Sequence, residues 1–336
     1  MSPYSSPKGG LFYFQPSIAI IYFLCITITY NKENKMDLEK TLDDNYENSN
    51  FQIKFAFLHL VQRGDLDAVK DIVERFPNVE LDLDTALLNS SHKGHAHVVE
   101  FLLDKGADVN TNNGNPLIGS AKEGHLEVVK LLIEKGVNLN VHQQGEMAFF
   151  QTCSNGHIEV AKLLIENGIN PRVNISHNPE YADDVKNEDI ALREAMRNGH
   201  LEMGKYLQEQ GLDLNIHADF LLRNAMTSNQ EDIAHYILDT AKPSEKGLAT
   251  ALEVAATIGN EDMTILLASR GANQEGALKH GTEEVIYALN KYNTKVKLDK
   301  ETSEKPISMA KQLSLDIQSQ QYDYGAKTTK SAKTKI

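Results

Sequence analysis

Seven stretches of this chain carry the same signal at an almost constant interval. GHAHVVEFLLDKGADVN, GHLEVVKLLIEKGVNLN, GHIEVAKLLIENGINPR and GHLEMGKYLQEQGLDLN begin at Gly94, Gly124, Gly156 and Gly199. Weaker copies begin at Gly64, Asn229 and Gly259, and Gly281 followed by TEEVIYAL reads as a shortened terminal cap. Successive anchors are separated by 30, 30, 32, 43, 30 and 30 residues. A unit of that size cannot bury its own apolar face, so the copies must stack and share one elongated core. This excludes most globular architectures before any single residue is weighed.

Within each copy the spacing predicts two antiparallel helices. Seven residues before the anchor runs an apolar column: Phe57, Leu87, Leu117, Phe149, Leu192, Leu222 and Leu252. Small residues precede it (Ala86, Ala148, Ala191, Ala251) and follow it three or four positions on (Ser90, Ser91, Ser120, Ala121, Ala195, Ala225). Apolar and small positions three and four apart define one buried helix face, and their size lets neighbouring helices approach. The anchor, glycine six times and asparagine once, suits the left-handed residue that ends a helix. Three residues later an acid recurs (Asp67, Glu127, Glu159, Glu202, Asp232, Asp262), where it complements the positive end of the next helix dipole. Eight after the anchor stands a second apolar column, Ile72, Leu102, Leu132, Leu164, Leu207, Ile237 and Leu267. With no Trp and 7% aromatic residues, the shared core is mostly aliphatic. The expected fold is all-α, a solenoid of stacked helix-turn-helix units.

The G-H-x-E-V-V-K-x-L-L run closing in G-A-D-V-N resembles the ankyrin repeat, over roughly Phe51 to Tyr292. It departs from that family's usual T-P-L-H start, which only Asn115-Pro116-Leu117 approaches. Its period is also shorter than the family's ~33 residues, so the fingers between repeats should be short. This clipped form resembles ankyrin proteins of large DNA viruses and host-associated bacteria. The resemblance implies that His95, His125, His157 and His200 make hydrogen bonds tying the turns together. It implies a non-catalytic protein-protein interaction scaffold, with a partner protein held in a concave groove of first helices and inter-repeat loops.

The search for chemistry agrees with that expectation. No phosphate-cradling glycine loop, HExxH helix, CxxC pair or GxSxG elbow occurs. His92, His95 and His97 cluster, but His95 is the repeat histidine, and no metal site, cofactor or catalytic residue is expected. Cys25 and Cys153 lie too far apart in sequence for a disulfide framework and fit a reducing, cytoplasmic setting. A net charge of −13 argues against nucleic acid as the partner. A monomer is expected.

Candidate contact residues lie at the outward positions five and six before the anchors: Phe150 and Gln151, Arg193 and Glu194, Arg223 and Asn224, and Glu253. Phe150 beside the core residue Phe149 would face the groove. Arg193 and Arg223 would form a positive strip. The 43-residue interval contains an insertion over Pro171 to Asp189. Read as an enlarged finger, its Glu180, Asp183, Asp184, Glu188 and Asp189 favour a basic partner surface; read otherwise, it is a solvated loop. At the N-terminus, Leu11 to Tyr30 is free of charge and about long enough to cross a bilayer at ~20 residues. Two readings stand: a membrane anchor that makes the chain a tethered adaptor, or a stretch ahead of a true start at Met36. A third reading of function, a host-directed effector, rests on the resemblance alone. The expected boundaries are thus 1–35 (hydrophobic segment), 36–50 (acidic linker), 51–292 (seven repeats and a degenerate cap) and 293–336. The last segment ends GAKTTKSAKTKI, and its composition predicts disorder.

Overall fold

The computed structural model describes residues 46–140, 144–173 and 189–304. It divides into two compact units, one ending at Leu212 and the other starting at Asp213. Among the described residues the first holds ten helices: α1 (Tyr46–Arg63), α2 (Leu66–Arg75), α3 (Leu83–Lys93), α4 (Ala96–Asp104), α5 (Thr111–Lys122), α6 (Leu126–Glu134), α7 (Gln144–Ser154), α8 (Ile158–Glu166), α9 (Ile190–Arg197) and α10 (Leu201–Glu209). The second opens with a 3-10 turn over Leu214–His217. It continues as α11 (Ala218–Thr227), α12 (Glu231–Thr240), α13 (Glu245–Thr257), α14 (Glu261–Ser269), α15 (Glu275–His280) and α16 (Glu283–Glu304). Among the described residues there is no strand.

Odd-numbered helices are the first helices of the repeats, and in each unit every one packs on the next: α1 to α9 in series, and α11 to α15. Both apolar columns read from the spacing line the core. Phe57, Leu87, Leu117, Phe149, Leu192, Leu222 and Leu252 have no solvent exposure, and the second-helix column from Ile72 to Leu267 is buried throughout, only Ile72 keeping a trace of exposure.

The turn between the two helices is a hydrogen-bonded closure that the anchor makes feasible. At Gly124 (φ +76°) the chain turns left-handed; Gly124 N–H donates to Ala121 O and His125 N–H to Ser120 O. These are the two bonds that satisfy orphan carbonyls at a helix end. The same pair recurs at the other anchors, with Asn229 (φ 52°) in one of them. Gly281 differs: its φ is −69° and its N–H bonds Ala277 O, so the terminal cap closes by another route.

The residue after the anchor chooses between two roles. Asp65 and Asn260 cap the following helix, their side chains accepting from Ala68 and Met263 N–H. His95, His125, His157 and His200 stand at the same N-cap position and make no cap bond. Three of them reach back into the preceding repeat. Nε2–H of His95, His125 and His157 donates to the carbonyls of Gln62, His92 and Lys122 at 2.9, 3.0 and 2.9 Å. Each gives up a local cap for a bond that ties one repeat to the next.

The C-terminal boundary lies later than the sequence predicts. α16 continues without a break from Glu283 to Glu304, past the expected end of order at Tyr292. Charged and polar residues such as Lys291, Lys295 and Lys297 extend a helix already anchored by buried Val285 and Leu289. The basic tail and the segment 1–45 lie outside the described residues.

Candidate functional site

In the first unit, the positions six before each anchor stack because their helices stack. Leu58, Leu88 and Ile118 occupy them in α1, α3 and α5, and all three are half-buried. Phe150 is the fourth member and Arg193 the fifth. The core requirement is already met by the neighbouring enclosed column, so these leucines and this isoleucine leave part of an apolar stripe at the surface. Met147 and Gln151 of α7 are half-buried beside it.

Three expected contact residues are corrected here. Phe150 is 1% exposed, Arg193 7% and Glu194 3%. Phe150 therefore belongs to the core, next to Phe149, and offers nothing to a partner. Arg193 and Glu194 fail for a different reason. Every residue from Ile190 to Met196 is buried, so α9 has no outward side over that length. The two charges satisfy each other at 3.2 Å, and Glu194 also takes the guanidinium of Arg197 at 2.5 Å. Buried charges persist when paired in this way. Arg193 thus contributes no positive surface, and a strip shared with Arg223 does not form.

Asp189 is a fourth correction. It is 1% exposed, and Arg172 Nε meets its Oδ1 at 3.2 Å while Arg172 Nη2 donates to Gly211 O. The two feet of the insertion are clasped together by this pair, and Asp189 acts as a clasp rather than a contact. Glu180, Asp183 and Asp184 lie outside the described residues.

In the second unit Arg223 is exposed and stacks over the Phe220 ring, 5.9 Å from its centroid. Asn224 is half-buried. Glu253 is half-buried and bonds His280 Nδ1 at 2.6 Å, joining α13 to α15. These residues remain on an accessible first-helix face.

The turn tips hold a feature not anticipated from the sequence. Asp108, Asn138, Asn170, Asp213 and Asn273 each accept the backbone N–H two residues on. Asp84 and Asn110 reach the next turn as well, accepting from Asp108 and Asn138 N–H. Side chains of this type hold tight turns by mimicking backbone bonds. An Asp or Asn two residues after each of the five closing glycines is the signal the sequence carries.

Among the described residues no group of three His, Cys, Asp or Glu is placed to hold a metal ion. An open surface groove of about 550 Å³ runs along α16 past Tyr287, Lys291 and Leu298, and its lining includes no histidine or cysteine. Cys153 is wholly buried in α7, and burial pushes its thiol well above the usual range. The thiolate is the reactive species. In a Cys25→Ser background, Cys153 is therefore expected to resist a thiol-reactive dye until urea unfolds the chain. Labelling of the folded protein at the rate of free cysteine would show that α7 does not pack as described.

Comparison with known families fits this geometry. A family model described as ankyrin repeats (three copies) matches residues 57–143 and, again, 140–218. The chain is an ankyrin-repeat protein. As in ankyrin-repeat proteins generally, the repeats are protein-protein interaction modules. The match ends at residue 218, while the anchors Asn229 and Gly259 extend the same ankyrin arrangement beyond it. One solved structure that matches is the human ASB11 ankyrin repeat domain: 23% identical, covering 61% of this chain and 96% of that chain, with a TM-score of 0.49. No curated protein matches.

Proposed function

We propose that this ankyrin-repeat protein is a non-catalytic scaffold that binds a partner protein on its first-helix faces and inter-repeat turns. The observation that carries the proposal is the half-exposed stripe of Leu58, Leu88 and Ile118, set beside a core column that is already complete. Apolar surface that the fold does not need is available for association. The bonds from His95, His125 and His157 and the turn-tip bonds hold that face in one geometry, so little freedom is lost when a partner docks. In the second unit, Phe220 with Arg223 supplies an aromatic and a guanidinium, two residue types common at the centres of interfaces.

The test is capture from source-cell extract by the full chain, with two variants alongside. One carries Ile118→Lys and Arg223→Glu on the first-helix faces. The other carries Glu100→Lys and Lys130→Glu on exposed second-helix positions. A protein retained by the natural chain and the second variant, but lost from the first, is the expected result. Equal retention by all three sinks the proposal. Circular dichroism checks that each variant is folded.

A second reading, the membrane-tethered adaptor, is favoured by the charge-free run from Leu11 to Tyr30. No helix among the described residues is long and apolar enough to cross a membrane, so a tether would have to come from that run. Flotation of the full chain with liposomes supports the tether; recovery at the bottom of the gradient, beside a chain lacking residues 1–35, removes it.

A further inference from the structure

The cap of the second unit leaves one of its sides open, and that side is apolar. Three before the anchor, Val61, Ser91, Ala121, Cys153, Met226 and Ala256 are all enclosed. Five after it, Val69, Val99, Val129, Ala161, Ala234 and Thr264 are enclosed as well. Each of these repeats is followed by another in its own unit. The cap is followed by none among the described residues, and there the same two positions open: Leu278 is 39% exposed and Ile286 is half-buried. Both positions therefore face the next repeat. Tyr287, beside Ile286 in α16, is 72% exposed.

A solenoid stays soluble when its terminal repeats carry a polar outer face, and the first repeat of the first unit does. Seven after the anchor, Phe101 looks back at Lys70 of the repeat before it, with Nζ 5.8 Å from its ring centroid. The first repeat has Asp71 at that position, paired with Arg75 at 2.9 Å. The cap has no such exchange and keeps Leu278, Ile286 and Tyr287. Its open side continues along α16. Gln274 and Asn293 exchange side-chain hydrogen bonds at 3.2 and 2.7 Å, which ties α15 to α16, and the groove along α16 runs from Tyr287 past that tie to Asp299.

The residues that follow α16 suit this groove. Pro306 cannot continue the helix. Beyond it Met309, Ala310, Leu313 and Ile317 recur three and four apart, the spacing of one helix face, with Leu315 the apolar exception on the other. Counting back from a turn at Lys305-Pro306, an antiparallel helix brings Leu313 level with Leu298 and Asp316 level with Lys295. Tyr287 lies about 25 Å from Glu304 along α16, at 1.5 Å per residue. Residues 307–317 return about 16 Å of that as a helix, and residues 318–324 reach about 20 Å further when extended.

We propose that the chain's own segment Ile307–Tyr324 folds back along α16 and covers the open side of the cap. Met309, Leu313 and Ile317 pack into the groove, and Tyr322 and Tyr324 reach towards Leu278, Ile286 and Tyr287. The tether holds this segment beside the groove at high effective concentration, whereas a separate molecule loses translational freedom on docking. This inference is independent of the scaffold reading. It removes the outer side of the cap from the surface open to a partner.

The experiment is hydrogen–deuterium exchange of the full chain, read by mass spectrometry over residues 305–324 beside a synthetic peptide of the same residues. Exchange about tenfold or more slower in the chain than in the peptide is expected. Leu278→Asp with Tyr287→Asp is expected to restore the peptide's rate, while α11 to α14 exchange as in the parent. Should that variant disturb α11 to α14, Leu298→Asp, in the groove beyond the Gln274–Asn293 tie, takes its place. Exchange of the parent chain at the peptide's rate overturns the inference. So does protection that survives the groove variant, because the segment then packs elsewhere. Protection that disappears on dilution overturns it too, since a second copy of the chain then covers the face.

Discussion

Leu132→Ala is expected to cost about 2–5 kcal/mol of folding free energy, the range for truncating an enclosed leucine. Leu132 has no solvent exposure and stands in the second-helix column of α6, which packs against α5 and against its neighbours α4 and α8. Its carbonyl also closes the repeat, accepting from Val137 N–H at 3.0 Å. Truncation removes apolar burial and leaves a cavity between elements that are themselves held by the repeats on either side. In a stack of this kind, stability is close to a sum of repeat and interface contributions. A defect in a central repeat therefore weakens two interfaces at once. Lys130→Ala, two residues away and exposed, is the control and should fall within about 0.5 kcal/mol of the parent. Urea unfolding followed by far-ultraviolet circular dichroism gives both values. A loss under about 1 kcal/mol for Leu132→Ala would place this leucine outside the core.

The columns seven before and eight after each anchor could be read from sequence because burial there is repeated. Seven copies of one physical constraint leave a pattern that neighbouring variation cannot hide. The residue six before the anchor obeys no such rule. In α1, α3 and α5 it is half-buried Leu58, Leu88 and Ile118, whereas in α7 and α9 it is enclosed Phe150 and Arg193. Helical period assigns a direction to a side chain but does not say what lies over it. An arginine next to a glutamate reads as surface by composition. Only packing shows Arg193 and Glu194 neutralising each other out of solvent. The same limit applied to Asp189, whose partner Arg172 lies 17 residues away across an insertion. The turn-tip asparagines and aspartates failed to register for the opposite reason. Their pattern follows all five closing glycines, but a short polar residue after glycine is ordinary in any loop, so its hydrogen bond leaves no distinctive mark in the sequence.

The histidine after four of the anchors makes a sharper prediction, because its ring explains why glycine is required at the anchor of the preceding repeat. A Cβ placed on Gly124 would lie 2.4 Å from Nδ1 and 2.6 Å from Cε1 of His157, the ring that the next repeat lays across it. Gly136, which closes the same repeat, has an equally left-handed φ of +84°, against +76° at Gly124, and nothing within 4 Å of its virtual Cβ. Alanine at either position carries the backbone cost of a left-handed L-residue, about 1–2 kcal/mol. Only at Gly124 must the ring also move, and moving it breaks the bond from Nε2–H to Lys122 O, a further ~1 kcal/mol, together with its packing. Gly124→Ala is therefore expected to exceed Gly136→Ala by about 1–3 kcal/mol in urea unfolding. Adding His157→Ala should return part of that excess, so the double variant is less destabilised than the two single losses combined. The second unit already carries the corresponding exchange. Where Asn260 replaces histidine, the preceding anchor is Asn229, left-handed with a side chain present, and Asn260 Nδ2 meets its Oδ1 at 3.3 Å. Glycine is thus dispensable at an anchor once the ring above it is gone. Equal costs at Gly124 and Gly136 would show instead that backbone geometry alone selects the anchor, and that the histidine does not lock one repeat to the next.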